Sequence, residues 1–179
     1  MLEAVAALVA WLGASIVVLA DGRRGLAAGS GLAAAGIVAL VLQATGPLQA
    51  AILAGGAVLA VFAAWRRGGE WGLMPAGSTP RIVLCIGGGL LALWVAVSIT
   101  TGPGQALRFA VVAVIALVGM RALSSDDPPV ITASVVTLAL IAAAAVGLAG
   151  TSQGAWPYAA AAIVAAAAAL APTRNPRAA

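Results

Sequence analysis

The sequence predicts an all-α integral membrane protein of about seven transmembrane helices, an N-terminal anchor followed by three helical hairpins. Three observations carry that prediction. First, 63% of the residues are hydrophobic, 8% are charged and the mean hydropathy is +1.12, whereas soluble domains carry roughly 25% charged residues. There is too little polar material to clothe a water-facing surface. Second, apolar runs near the ~20 residues needed to span a bilayer recur along the whole chain. None alternates with the two-residue period of a β-barrel strand, so helices must satisfy the backbone in lipid. Third, a Thr-Gly-Pro turn interrupts these runs at Thr45-Gly46-Pro47 and again at Thr101-Gly102-Pro103.

Taken in order, residues 4–20 form the first run, closed by Asp21-Gly22-Arg23-Arg24. The preceding Met1-Leu2-Glu3 is acidic where a secretory signal is basic, so this run is expected to stay as an anchor. Residues 25–44 form the second span and turn at the first Thr-Gly-Pro; residues 48–65 form the third, ending at Arg66-Arg67. The single long polar loop covers residues 68–80. The fourth span, 81–100, turns at the second Thr-Gly-Pro into the fifth, 105–123. Ser124-Ser125-Asp126-Asp127-Pro128 leads to the sixth, 129–149, and residues 150–156 lead to the seventh, 157–171, short and almost entirely Ala. Gly tolerates positive φ at a helix end, and Pro opens the next helix where its missing N–H has no partner anyway. The chain therefore reads as one polytopic domain over residues 1–179.

Arginine placement orients it. The net charge of +4 comes from nine Arg against five acids, with no Lys. These Arg stand singly or in pairs between apolar runs, which suits orientation signals and not a nucleic-acid surface. With the N-terminus outside, the cytoplasmic segments hold Arg23, Arg24, Arg66, Arg67, Arg81, Arg121, Arg174 and Arg177, leaving Arg108 alone outside. Six spans instead of seven would transfer Arg174 and Arg177 outward and weaken the bias, so the charges favour an odd count and a cytoplasmic C-terminus. Offsetting the second and third spans by 56 residues matches Gln49 to Gln105 and Ala54 to Ala110. That is a parallel repeat, unlike the inverted repeats common in transporters.

Glycine is the main packing signal. Gly25, Gly29 and Gly36 fall within about 40° of each other on a helix, a smooth stripe containing one Gly-x-x-x-Gly. Gly55 and Gly56 on the third span, and Gly87, Gly88 and Gly89 on the fourth, add flat patches. Such residues let backbones approach where lipid supplies no hydrophobic force between helices. They serve either packing within the chain or contact with a partner subunit. Arg108, whose counterpart in the repeat is Ile52, stands near the outer ends of the helices. With Gln105, Gln49 and Thr101 it is the candidate for an outer polar or anion site; otherwise it snorkels to the interface. Trp65, Trp71 and Trp156 fit an aromatic belt, with Leu73 and Met74 beside Trp71 on the bilayer surface. Asp126 and Asp127 are expected to cap the sixth helix, and Cys85 reads as a small apolar residue of the fourth.

Several functions are excluded. Without His there is no bis-His haem, and without Lys no retinal Schiff base. No acid falls inside a predicted span, so the usual proton or sodium relay is missing. Asp21-Gly22-Arg23-Arg24 resembles the opening of the CDP-alcohol phosphotransferase motif, but that family needs further Asp downstream and residues 25–44 contain none. The resemblance is set aside. No cofactor or metal set emerges.

The expected function is a non-catalytic subunit of a larger bacterial inner-membrane complex, respiratory or transport in type. Its expected partners are the lipid bilayer and other integral subunits or copies of itself. A small permease or channel for a neutral or anionic solute, passing beside Arg108, is the alternative. A membrane enzyme built on Glu70, Asp126, Asp127 or Asp21 comes third.

Overall fold

The structure, a computed structural model, describes residues 1–69, 71–72, 79–99, 104–148 and 154–171, the side chains of 96, 97 and 99 excepted. The described residues form seven helices: α1 (Leu2–Leu19), α2 (Arg23–Ala44), α3 (Pro47–Arg66), α4 (Thr79–Ile99), α5 (Gln105–Leu123), α6 (Pro128–Leu148) and α7 (Trp156–Leu170). Five of them, α1, α2, α3, α5 and α6, are long and apolar enough to cross a membrane; Thr79–Val95 within α4 and the whole of α7 are shorter apolar stretches. At 1.5 Å per residue, α2 is about 33 Å long and α7 about 22 Å. The first therefore matches a hydrocarbon core of about 30 Å and the second falls short of it.

Local sequence sets the turns. Thr45 closes α2, its hydroxyl donating to the Val41 carbonyl (3.0 Å) while its amide bonds the same oxygen (2.9 Å). Gly46 follows at φ 113°, a backbone state that side chains avoid, and Pro47 opens α3. At the other expected Thr-Gly-Pro turn, residues 100–103 lie outside the described residues. There α5 opens at Gln105 after Gly104, whose φ is 91°. In the 56-residue register Pro47 matches position 103, so α5 starts two residues later than α3 does. Asp127 occupies the N-cap position of α6, its carbonyl accepting the Ile131 N–H and its own N–H donating to Ser125 Oγ.

The helices pack in two rows. One row holds α1, α2 and α3 side by side; the other holds α4, α5, α6 and α7. Across the rows α1 meets α5 and the edge of α4, α2 meets α6, and α3 meets α7. Among the described residues the consecutive helices α3 and α4 make no contact. Beyond α3, the Gly72 carbonyl accepts the amides of Asp21 (2.8 Å) and Gly22 (3.0 Å). The outer faces of the rows are apolar: Val58, Leu59 and Phe62 on α3, and Val83, Ile86, Leu90 and Trp94 on α4, are exposed. A surface of that kind needs lipid or other helices over it.

The leading helix, expected as an anchor ahead of three hairpins, packs closely along α2, the most extensive helix–helix interface among the described residues. Small residues make this possible. A Cβ placed on Gly36 would lie 2.5 Å from the Ala10 nitrogen and 2.6 Å from the Ala6 carbonyl oxygen. One on Gly29 would lie 2.8 Å from the Val17 nitrogen, and one on Gly13 would collide with the Ala33 backbone. Backbone thus lies on backbone along the seam, and dispersion between closely spaced atoms holds it.

Candidate functional site

Two ends of the bundle carry polar chemistry. At the end where α1 begins, Glu3 in the first turn of α1, Gln43 in the last turn of α2 and Arg108 in the first turn of α5 line a recess of about 340 Å³, floored by Leu40 and Leu107. Arg108 is half-buried, and its Nη1 is out of reach of solvent with no hydrogen-bond partner. A buried donor left unpaired costs about 1–3 kcal/mol or more when charged, so this nitrogen is suited to an acceptor entering the recess. Glu3, also in the lining, gives the recess both signs of charge. Of the residues expected to join Arg108, Gln49 is half-buried in the first turn of α3 and outside the lining, Gln105 is exposed, and Thr101 lies outside the described residues. Glu3 and Gln43 stand in their place.

At the opposite end Asp21 follows α1 and draws two arginines from the second row. Arg81 Nη1 donates to its Oδ1 at 2.9 Å, and Arg121 Nη2 donates to the same oxygen. Arg121 also reaches the Ala20 carbonyl at 3.4 Å. The environments differ: the Arg121 side chain is 7% exposed, Arg81 35% and Asp21 39%. Arg121 Nε is buried with no partner. Exposed pairs contribute about 0–1 kcal/mol, whereas stripping the partner from a buried charge is far more costly. The Arg121 half of the cluster is the consequential one. The whole cluster joins α1 to α4 and α5; in the sequence Arg81 and Arg121 read as orientation signals and Asp21 as a candidate for enzyme chemistry.

The glycines divide by face. Gly25, Gly29 and Gly36 are buried in α2, with Gly29 and Gly36 against α1. Gly56 lies against Ala162 of α7, Gly88 against Leu117 of α5, and Gly89 against the Trp11 indole. Gly55 and Gly87 point elsewhere: a Cβ on either would meet nothing within 4 Å. Gly13, the tightest contact of the set, had no sequence signal, because it stands alone in α1 without a partner glycine at helical spacing.

Trp71 packs edge-to-face on Trp65, ring centroids 5.7 Å apart, close to Arg66 over the Phe62 ring at 5.6 Å. Leu73, Met74 and Glu70 lie outside the described residues. Cys85 is buried in α4, its Sγ 3.9 Å from the Ser15 carbonyl. Among the described residues no three His, Cys, Asp or Glu side chains gather as a metal site.

These features define a multi-pass helical membrane protein whose described charged side chains all stand at or near helix ends. Set against protein-family models, curated proteins and solved structures, the chain matches none.

Proposed function

We infer that this chain is a non-catalytic integral subunit of a larger bacterial inner-membrane complex, respiratory or transport in type. In this reading it crosses the membrane seven times, with the N-terminus outside and the C-terminus in the cytoplasm. The observation that carries the proposal is the outer face of α4. Among the described residues that helix borders α5 and, more lightly, α1. It presents Val83, Ile86, Gly87, Leu90 and Trp94 at successive helical turns, Gly87 forming an open notch among exposed apolar side chains. The face of α3 repeats the design with Gly55, Val58, Leu59 and Phe62. A notch flanked by ridges accepts a knob from a partner helix and gains dispersion contact that straight lipid tails supply less well. Purification from native membranes in mild detergent should recover stoichiometric partners, identified by mass spectrometry. Gly87→Leu and Gly55→Leu should release them without unfolding the chain. Recovery of the chain alone, or variants that retain every partner, would overturn the proposal.

The alternative, a small permease or channel, draws on the unpaired Arg108 Nη1 in its recess. It requires purified protein in liposomes to pass a small anionic or neutral solute, with Arg108→Ala altering the flux.

A further inference from the structure

The arginine-rich end holds a second feature that neither reading uses. A crevice of about 50 Å³ opens where α2, α3, α6 and α7 meet, with Arg23 and Arg67 at its rim and Leu26, Val61, Ala133 and Val136 among its walls. Ser30 and Thr132 also line it, but their hydroxyls are engaged: Ser30 lies 3.4 Å from Thr137 Oγ1, and Thr132 donates to the Pro128 carbonyl at 2.8 Å. The walls therefore make no unmet polar demand. No acid lines the crevice, and no described acid pairs with Arg23 or Arg67. Both arginine side chains are exposed, and each touches a neighbouring segment. Arg67 Nη2 donates to the Ala171 carbonyl (3.0 Å), and the Arg23 stem lies so close to Gly69 that a Cβ there would stand 2.9 Å from its own Cβ.

The depth relations give the occupant. Arg23 opens α2, Arg67 follows α3, Pro129 lies in the first turn of α6 and Ala169 in the last turn of α7. The guanidiniums thus stand at the membrane boundary, while the apolar walls run from them into the hydrocarbon. Positive charge above an oily cleft complements an anion above an alkyl chain, and basic pockets between helices at this level suit anionic headgroups. We propose that the crevice is a specific site for an anionic glycerophospholipid. Its phosphate bridges Arg23 and Arg67, and one acyl chain lies along the opening between α2, α3 and α6. Lipid held there fastens α3 to α6, two helices that otherwise touch little.

The test is lipid binding to the purified full chain in neutral detergent, read by native mass spectrometry. Phosphatidylglycerol should be retained over phosphatidylcholine of the same chains by roughly 30-fold, about fivefold for each basic contact. Arg23→Gln/Arg67→Gln should erase that preference. Arg24→Gln/Arg66→Gln, which removes as much charge from the same end, should leave most of it. Ala64→Leu, at a half-buried crevice wall, should weaken retention with both arginines in place. Equal binding of the two lipids, loss of preference in both arginine pairs alike, or displacement by inorganic phosphate as readily as by lipid would each overturn the proposal. Circular dichroism and a monodisperse elution profile confirm that each variant is folded before its binding is read.

Discussion

Gly36 and Gly87 are chemically the same residue in the same kind of helix, and the structure assigns them opposite responses to one methyl group. On Gly36 the new Cβ would stand 2.5 Å from the Ala10 nitrogen and close to two more α1 backbone atoms. Ordinary contact begins near 3.4 Å, so α1 and α2 must separate by about 0.9 Å, since backbone cannot rotate aside. A gap of 0.5–1 Å forfeits a quarter to a half of each dispersion well of about 0.1–0.2 kcal/mol. Over roughly 40 atom pairs along the seam the loss is about 1–4 kcal/mol, overlapping the range measured for overpacked cores. On Gly87 the Cβ enters open space. Replacing Gly by Ala also raises helix propensity by up to about 1 kcal/mol, but both variants share that gain and it cancels in the comparison. Gly36→Ala should therefore be less stable than Gly87→Ala by about 1–4 kcal/mol. Reversible unfolding in mixed micelles of mild detergent and sodium dodecyl sulfate, followed by circular dichroism, measures the difference. Equal midpoints, or a less stable Gly87→Ala, would refute the claim that backbone-to-backbone packing of α1 on α2 holds the first row together.

Three further outcomes follow from the same geometry. Asp21→Ala leaves Arg121 Nη2 buried with only the Ala20 carbonyl, so it should cost about 1–3 kcal/mol, discounted for the partial exposure of Asp21. Arg81→Met should cost less than 1 kcal/mol, and Asp21→Leu/Arg121→Met should recover much of the loss in the same unfolding assay; additive single losses would argue against coupling. Cys85, 4% exposed, should resist maleimide in the folded protein and react after denaturation, whereas rapid native labelling would place α4 off the bundle. In a Cys85→Ala background, Gln43→Cys should label from outside intact cells and Ser124→Cys only after permeabilisation. The reverse pattern would invert the proposed orientation.

Helix boundaries were legible because hydropathy and turn chemistry are local. Residues 25–44, 48–65 and 157–171 anticipate Arg23–Ala44, Pro47–Arg66 and Trp156–Leu170 to within two residues. Lateral order was not legible. The three expected hairpins do pair α2 with α3, α4 with α5 and α6 with α7, but nothing local says that α3 and α4 stand apart or that α1 lies under α2 and α5. Helices apolar on every side carry almost no face signal, so adjacent Gly55 and Gly56 looked equivalent. One faces open space and the other abuts Ala162. In the recess lined by Glu3, Gln43 and Arg108, the arginine stood out in the sequence as a lone charge. Its neighbours Glu3 and Gln43 come from helices 60 or more positions away and could be found only after folding.

The Asp21 cluster shows why such distant pairings arise in a chain with so few charges. A buried guanidinium near a membrane boundary needs an anion, and this protein holds only five acids. Asp21 is placed by the Gly72 carbonyl, which takes its amide and that of Gly22 and so fixes the turn between α1 and α2. The carboxylate then faces the second row at the level where Arg81 opens α4 and Arg121 ends α5. Arg81 and Arg121, two of the residues proposed to orient the chain, thus also set the lateral register of α4 and α5 on α1. Removing Arg121 should disturb the seating of those helices more than the count of charges on that side. Removing Arg24, exposed at the same boundary and outside the cluster, should do the opposite. A comparison of labelling topology with unfolding midpoint in Arg121→Met and Arg24→Met separates the two roles.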